Sequence, residues 1–219
     1  MSDPLLPTRP NVPDRVGVEG LEATWVERWA AEGTYRFDPT TSRDAIYSID
    51  TPPPTVSGSL HIGHVFSYSH TDIVARYQRM RGKNVFYPIG WDDNGLATER
   101  RVENYFGVRG DAALPYDEFF EPPQTPGKDK VHVSRRNFVE LCRRLTALDE
   151  QAFKHVFTVL GASIDWTMEY TTVSLESQAI SQRGFLASLA RAEVYSAVAP
   201  TLWDIDFHTP VSQAELVDR

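Results

Sequence analysis

One stretch limits the fold of this chain more than any other: AIYSIDTPPPTVSGSLHIGHVFSYSHTDIVARYQRMRGKNVFYPI, residues 45–89. Residues 45–50 are a short apolar run that ends in a carboxylate and then three prolines. A buried strand stops that way, because proline has no N–H to give to a sheet. Over residues 63–81 the apolar positions Phe66, Ile73, Val74, Tyr77 and Met80 fall on one face of a helix, and Gly82 supplies a left-handed stop. NVFYPI, residues 84–89, is a second apolar strand, followed by the loop GWDDNGL and a helix over 98–105. Strand, loop, helix, strand is a βαβ unit, whose right-handed crossover makes the strands parallel. The class is α/β, and the two unusual loops, residues 52–64 and 90–96, fall on the same edge of one sheet, where such folds bind ligands.

The rest of the chain surrounds this unit. LEATWVERWAAEG spaces Leu21, Trp25 and Trp29 four residues apart and stops at Gly33, which predicts a short amphipathic helix packed on the main body. Residues 107–133, rich in proline and charge, read as an irregular excursion. Ser134 caps a long helix through Phe138, Leu141, Leu145, Ala152, Val156 and Leu160, which Gly161 ends. A third helix spans about residues 174–193, with Ala179, Leu186, Ala190 and Val194 in phase, and the final stretch alternates like strands.

Composition narrows the function classes. The 219 residues carry a formal charge of −8, which disfavours a general nucleic-acid-coating protein but leaves room for a local basic face. No apolar window approaches the roughly 18 residues of a membrane span, and MSDPLLPTRPNVPDRVG is too proline-rich for a signal peptide. A cytoplasmic protein with a loose amino-terminal arm is expected. Cys142, the single cysteine, sits in an apolar helical pattern and reads as a core thiol, so an internal disulfide or a cysteine-based zinc site is ruled out.

The first loop is built for close contact with a ligand. Pro52, Pro53 and Pro54 hold the chain extended, and Gly58 lets it turn into the helix. Helix-start amides favour an anion, and His61 and His64, three residues apart, face the same side. Gly63 between them leaves room for a flat group such as a nucleobase. Phosphate oxygens suit this arrangement, although the spacing is not that of a Walker loop. Two readings compete with it: histidines that merely cap a helix, and a metal held by both histidines with Asp92 or Asp93, for which no zincin pattern is present.

LHIGH, placed after a strand and opening a helix, resembles the HIGH signature of class I aminoacyl-tRNA synthetases. The extended run from PPPTVSG through GWDDNGLATERRVENYFG is similar to the valyl-tRNA synthetase branch. SRRNFVELC, ASIDWTMEYTT and APTLWDIDFHTPVSQAE continue the likeness over nearly all of the chain beyond the arm. The resemblance implies the first half of a Rossmann-like nucleotide-binding fold, with an N-terminal helix and helical insertions. It divides the chain into an arm (1–17), the N-terminal half of the catalytic domain (18–208) and the start of a connection to an editing domain (209–219). It implies activation of L-valine by ATP, carried with Mg2+ as a substrate complex, to valyl-adenylate for transfer to tRNA(Val), with no tightly bound cofactor and no metal site.

In that reading His61 and His64 act on the ATP phosphates, and Gly63 lies under adenine. Asp92 pairs with the valine ammonium, while Pro52, Pro53, Pro54 and Thr55 wall a small amino-acid pocket. No role attaches to Asp93, and His70, His132, His155 and His208 are ordinary surface or core residues. Two departures stand out. Ala97 occupies a position where this branch usually has proline, and the sequence holds no KMSKS-like loop, a task Lys128 and Lys130 do not fill. The expectation is therefore an incomplete enzyme, with very weak adenylation, no charging, and a complementary C-terminal half as partner. The alternatives are a stand-alone binding or regulatory module and a paralogue that activates an amino acid without charging tRNA.

Overall fold

A computed structural model describes residues 17–57, 60–205 and 209–211. The arm through residue 16, Gly58, His208 and residues 212–219 lie outside the described residues. The chain divides into two compact units, Met1–Ser174 and Leu175–Arg219.

In the first unit β1 (Ile46–Ser48) leads through the proline segment into α2 (Ile62–Met80), then β2 (Asn84–Phe86), with β1 and β2 parallel from Ile46↔Asn84 to Ser48↔Phe86. This is the expected βαβ unit. The single strand expected over 84–89 is two. Pro88 has no N–H, the ladder breaks at Tyr87–Pro88, and β3 (Ile89–Trp91) takes a different neighbour, the parallel β6 (Glu169–Thr171). The excursion over 107–133 also holds order that short runs did not reveal: β4 (Val108–Asp111) and β5 (Val131–Ser134) pair in parallel.

Helix ends lie close to where local chemistry placed them. α1 (Leu21–Glu32) ends on Gly33 at φ +61°, α3 (Leu96–Phe106) on Gly107 at +66°, and Gly82 and Gly161 follow α2 and α4 (Arg135–Val159) in the same left-handed region. Ser134 Oγ accepts from the Asn137 N–H to cap α4. α1 docks through Trp29, whose ring lies beside Gly161 and beneath the Arg76 guanidinium.

Two apolar clusters fill the first unit, and α4 serves both. Its first half gives Phe138, Leu141 and Leu145 to a cluster with Val102, Phe106, Val108 and Val133, against which Cys142 is half-buried. Its second half gives Phe153 and Phe157 to a cluster with Val56, Val85, Tyr87, Ile89 and Trp91 under the strands.

α2 is oriented contrary to its pattern. Phe66, Ile73, Val74, Tyr77 and Met80 are all exposed, and the buried side carries Ala75 with half-buried Tyr68, Asp72 and Arg79. Asp72 explains why. It pairs with Arg76 Nε at 2.7 Å and accepts from the Ser163 N–H at 2.6 Å, while Arg79 donates to Ser163 Oγ and its carbonyl. A polar side fully matched in hydrogen bonds can face the interior, leaving the apolar stripe outward.

In the second unit α5 (Leu175–Ala190) buries none of its residues, so the stripe expected through Leu186 and Ala190 is not a core face there. β7 (Trp203–Asp204) and β8 (Thr209–Pro210) form a short antiparallel pair. No helix among the described residues is long and apolar enough to cross a membrane.

Candidate active site

The two unusual loops meet. Beyond the proline segment, Thr55 bridges to Asp92 in parallel: the Asp92 N–H donates to the Pro54 carbonyl at 3.0 Å and the Val56 N–H to the Asp92 carbonyl at 2.8 Å. The Thr55 hydroxyl donates to the Asp92 carboxylate at 3.2 Å. The proline wall is therefore stitched by backbone bonds to the residue expected to receive a cation. Tyr68 ties down the wall's other end, donating from its hydroxyl to the Pro52 carbonyl at 2.6 Å, and burial pushes its pKa up to about 12.

At the start of α2 the two histidines cap the helix reciprocally. His61 is the N-cap; its Nδ1 accepts from the Gly63 N–H at 3.1 Å, and its own N–H donates to His64 Nδ1 at 3.3 Å. The rings lie 3.9 Å apart, tilted by 32°. Because Nδ1 of each ring accepts, Nε2 of each carries the proton and is left as a donor. Partial burial, and then the neighbouring His61, hold the His64 pKa below the ordinary imidazole value, which keeps its ring neutral near pH 7.

The capping bonds refine the expectation of open helix-start amides, since the Gly63 amide is engaged by an imidazole and the ring N–H groups become the outward donors. They also give Gly63 a local reason. A Cβ there would sit 3.0 Å from the His61 ring, so a side chain at this position would crowd the cap.

A cleft of about 510 Å³ brings most of the expected residues together: Pro52, Pro53, Pro54, His61, Gly63 and His64 line it, with Thr51, Ser67, Tyr68 and Thr71. Thr55 and Asp92 are not among its lining residues; the parallel bridge joins them to the wall. His70, His132 and His155 are exposed, and His132 lies 3.5 Å from Asp111. Cys142 has its thiol pKa pushed up to about 11, first by burial, as suits an unreactive core thiol. No three His, Cys, Asp or Glu side chains among the described residues gather in an arrangement that could hold a metal.

Sequence reasoning missed what lies behind the loops. Gly90 pairs with Tyr170 across β3 and β6, and a Cβ on Gly90 would fall 2.2 Å from the tyrosine ring, so this glycine exists to let Tyr170 lie over the strand. Trp91, fully buried, donates from Nε1 to Glu169 at 2.7 Å, and Glu169 is also salt-bridged to Lys154. Asp93 points inward, 5% exposed, toward the carboxyl of Glu150 on α4. The glycine in GWDDN and the tyrosine in MEYTT were visible signals, but only strand pairing says that they touch.

Residues 24–219 match the family described as tRNA synthetases class I (I, L, M and V). The chain belongs to the class I tRNA synthetases. Valine–tRNA ligases are its similar curated relatives: that of Thermobifida fusca is 60% identical over 95% of this chain and 24% of its own length, and that of Cutibacterium acnes 61% identical over 97% and 25%. This class I chain thus spans about a quarter of the length of the relatives it matches. In shape it is similar to the LeuRS of Agrobacterium radiobacter K84 in a ternary complex with tRNA and LeuAMS, with a TM-score of 0.67, 23% identity, and coverage of 90% of this chain and 20% of that one. That likeness bears on the fold, and with the parallel β1–β2 and β3–β6 pairs it accords with the Rossmann-like half fold expected above.

Proposed function

We propose that this chain is the HIGH-motif half of a valine-activating site, in which ATP and L-valine meet between the proline wall and the start of α2. The observation that carries the reading is the bridge from Pro54–Val56 to Asp92 beside the cleft that His61 and His64 line. The Nε2–H groups of His61 and His64 donate to phosphate oxygens as charge builds at the α-phosphorus. The valine carboxylate attacks there, forming valyl-adenylate and releasing pyrophosphate. Such chemistry is positional and electrostatic, with no covalent enzyme intermediate. Mg2+ enters with ATP as part of the substrate.

Asp92 holds the valine ammonium, a charge-assisted contact of the stronger kind, and the stiff Pro52–Thr55 wall limits side-chain size. The tRNA(Val) acceptor end would need segments that the longer relatives have, and a complementary half is the partner this reading calls for. Residues 18–208 form the catalytic half in this reading, preceded by an arm and followed by the start of a connection. A cytoplasmic setting goes with it.

Valine-dependent ATP–pyrophosphate exchange tests the proposal. The chain alone is expected to exchange far more slowly than a complete valine enzyme and to charge no tRNA, and His64→Ala is expected to remove the residual exchange. Asp92→Asn is expected to weaken valine binding by roughly 10- to 100-fold, the size of a lost hydrogen bond to charge. Valine binding without exchange would turn the reading toward a binding module. Exchange unchanged in His64→Ala would overturn the assigned chemistry.

A further inference from the structure

Behind the loop that carries Asp92 lies a pair of acids, Asp93 and Glu150, that the activation chemistry does not use. Along Gly90–Asn94 the side chains alternate: Asp92 meets Thr55, while Asp93 turns inward with 5% of its surface exposed. The Asp93 N–H donates to Thr172 Oγ1 at 3.1 Å, and the Thr172 N–H donates back to the Trp91 carbonyl at 3.0 Å. Those bonds fix the backbone against the end of β6. The carboxyl needs a separate account.

Counted as ionised, both Asp93 oxygens are buried with no donor. Two buried acceptors left bare are destabilising, and native folds avoid leaving them so. The side chain against them is another acid, Glu150 of α4. A single proton resolves both problems, because the buried Asp93 carboxyl and the half-buried Glu150 carboxyl repel when both are charged, and one proton between them supplies the missing donor.

We propose that Glu150 and Asp93 share one proton from mildly acidic pH up to the neutral range, donated from Glu150 to the Asp93 carboxylate, so that this acid pair is a positioning element that pins the Gly90–Asn94 loop to α4 and thereby places Asp92. Its consequence for valine rests on the reading of Asp92 given above; its consequence for the fold does not. The charged groups facing the pair are Asp92 on the same loop and Glu169 on β6, the latter engaged by Lys154 and Trp91 Nε1. Both negative charges reinforce retention of the proton. Burial comes first among the causes at each acid and raises both pKa values, and the contact with Asp93 raises Glu150 further.

A folded state that holds a proton the unfolded chain releases loses stability as pH rises through the interval between the two pKa values. Here the interval runs from the ordinary carboxyl range near 4 to about 7 at Glu150. The test is thermal unfolding of the 219-residue chain from pH 5 to pH 8.5, compared with Glu150→Gln, whose amide is a permanent donor of nearly the same shape. The wild-type midpoint is expected to fall by roughly 5 °C relative to the Gln variant across that range. Glu150→Ala should be less stable than Glu150→Gln at every pH, because it leaves Asp93 bare.

In the wild-type chain itself, carboxyl-carbon NMR should show one side-chain acid still protonated at pH 6. Valine affinity, where valine binds, should weaken several-fold toward pH 8.5 in wild type and stay level in Glu150→Gln. Parallel unfolding profiles for wild type and Glu150→Gln, or every carboxyl titrating in its ordinary range, would overturn the pair. Absence of valine binding with the unfolding difference intact would overturn the activation reading alone.

Discussion

α4 and α2 carry apolar stripes of similar regularity and use them in opposite ways. On α4 the expected stripe is buried at Phe138, Leu141 and Leu145 but not at Ala152, Val156 and Leu160; Phe153 and Phe157 are buried in their place, and the helix joins both clusters of its unit. On α2 the repeating residues face outward, Phe66 at 64% and Met80 at 80% exposure, while Asp72, Ala75 and Arg79 face in. Periodicity reports that a helix has two unlike faces. It does not report which one the neighbouring elements can satisfy. Ser163 and the chain turn at Gly161 offer hydrogen-bond partners, and those partners select the polar side of α2.

Four substitutions bear on that comparison. The largest effect is expected at Phe157→Ala, which empties a fully buried ring site between Trp91 and Tyr68 and should lower unfolding free energy by about 3–5 kcal/mol in a urea titration. A loss below about 1 kcal/mol would mean that α4 does not anchor the strands. Asp72→Ala comes next, at about 2–3 kcal/mol after allowing for the partly exposed Arg76, since it strands Ser163 and Arg76. If that substitution were silent, the polar side of α2 would be an incidental choice.

Tyr68→Phe removes one bond to the Pro52 carbonyl and should cost about 1 kcal/mol while loosening the proline wall, visible as weaker valine binding beyond the stability loss. Met80→Gln, on the outward stripe, should change stability by no more than about 0.5 kcal/mol. A larger cost, together with a concentration-dependent sedimentation coefficient, would show the stripe covered by a second molecule in solution.

Part of the site was legible because its signals are local. Three prolines before a glycine-containing turn, two histidines at helical spacing and GWDDN after an apolar run gave the wall, the cap and the acidic loop. The cleft, the Thr55–Asp92 bridge and the βαβ order agree with that reading. Residues that act through distant partners were not legible. Tyr170 lies 80 positions beyond the Gly90 it covers, Glu150 lies 57 beyond Asp93, and the strand at 84–89 splits because its two halves have different neighbours.

What the sequence determined by itself was the set of local conformations. Glycine reaches the left-handed region without a Cβ clash, proline removes amides, serine and histidine side chains bind the first turn of a helix, and each effect spans only a few residues. Tertiary structure alone decided which face of α2 is buried, which strand each half of NVFYPI joins, and that two acids meet behind the loop. Those outcomes depend on a competition among partners brought together from far along the chain, and burial then sets the strength of each hydrogen bond and the charge of each acid.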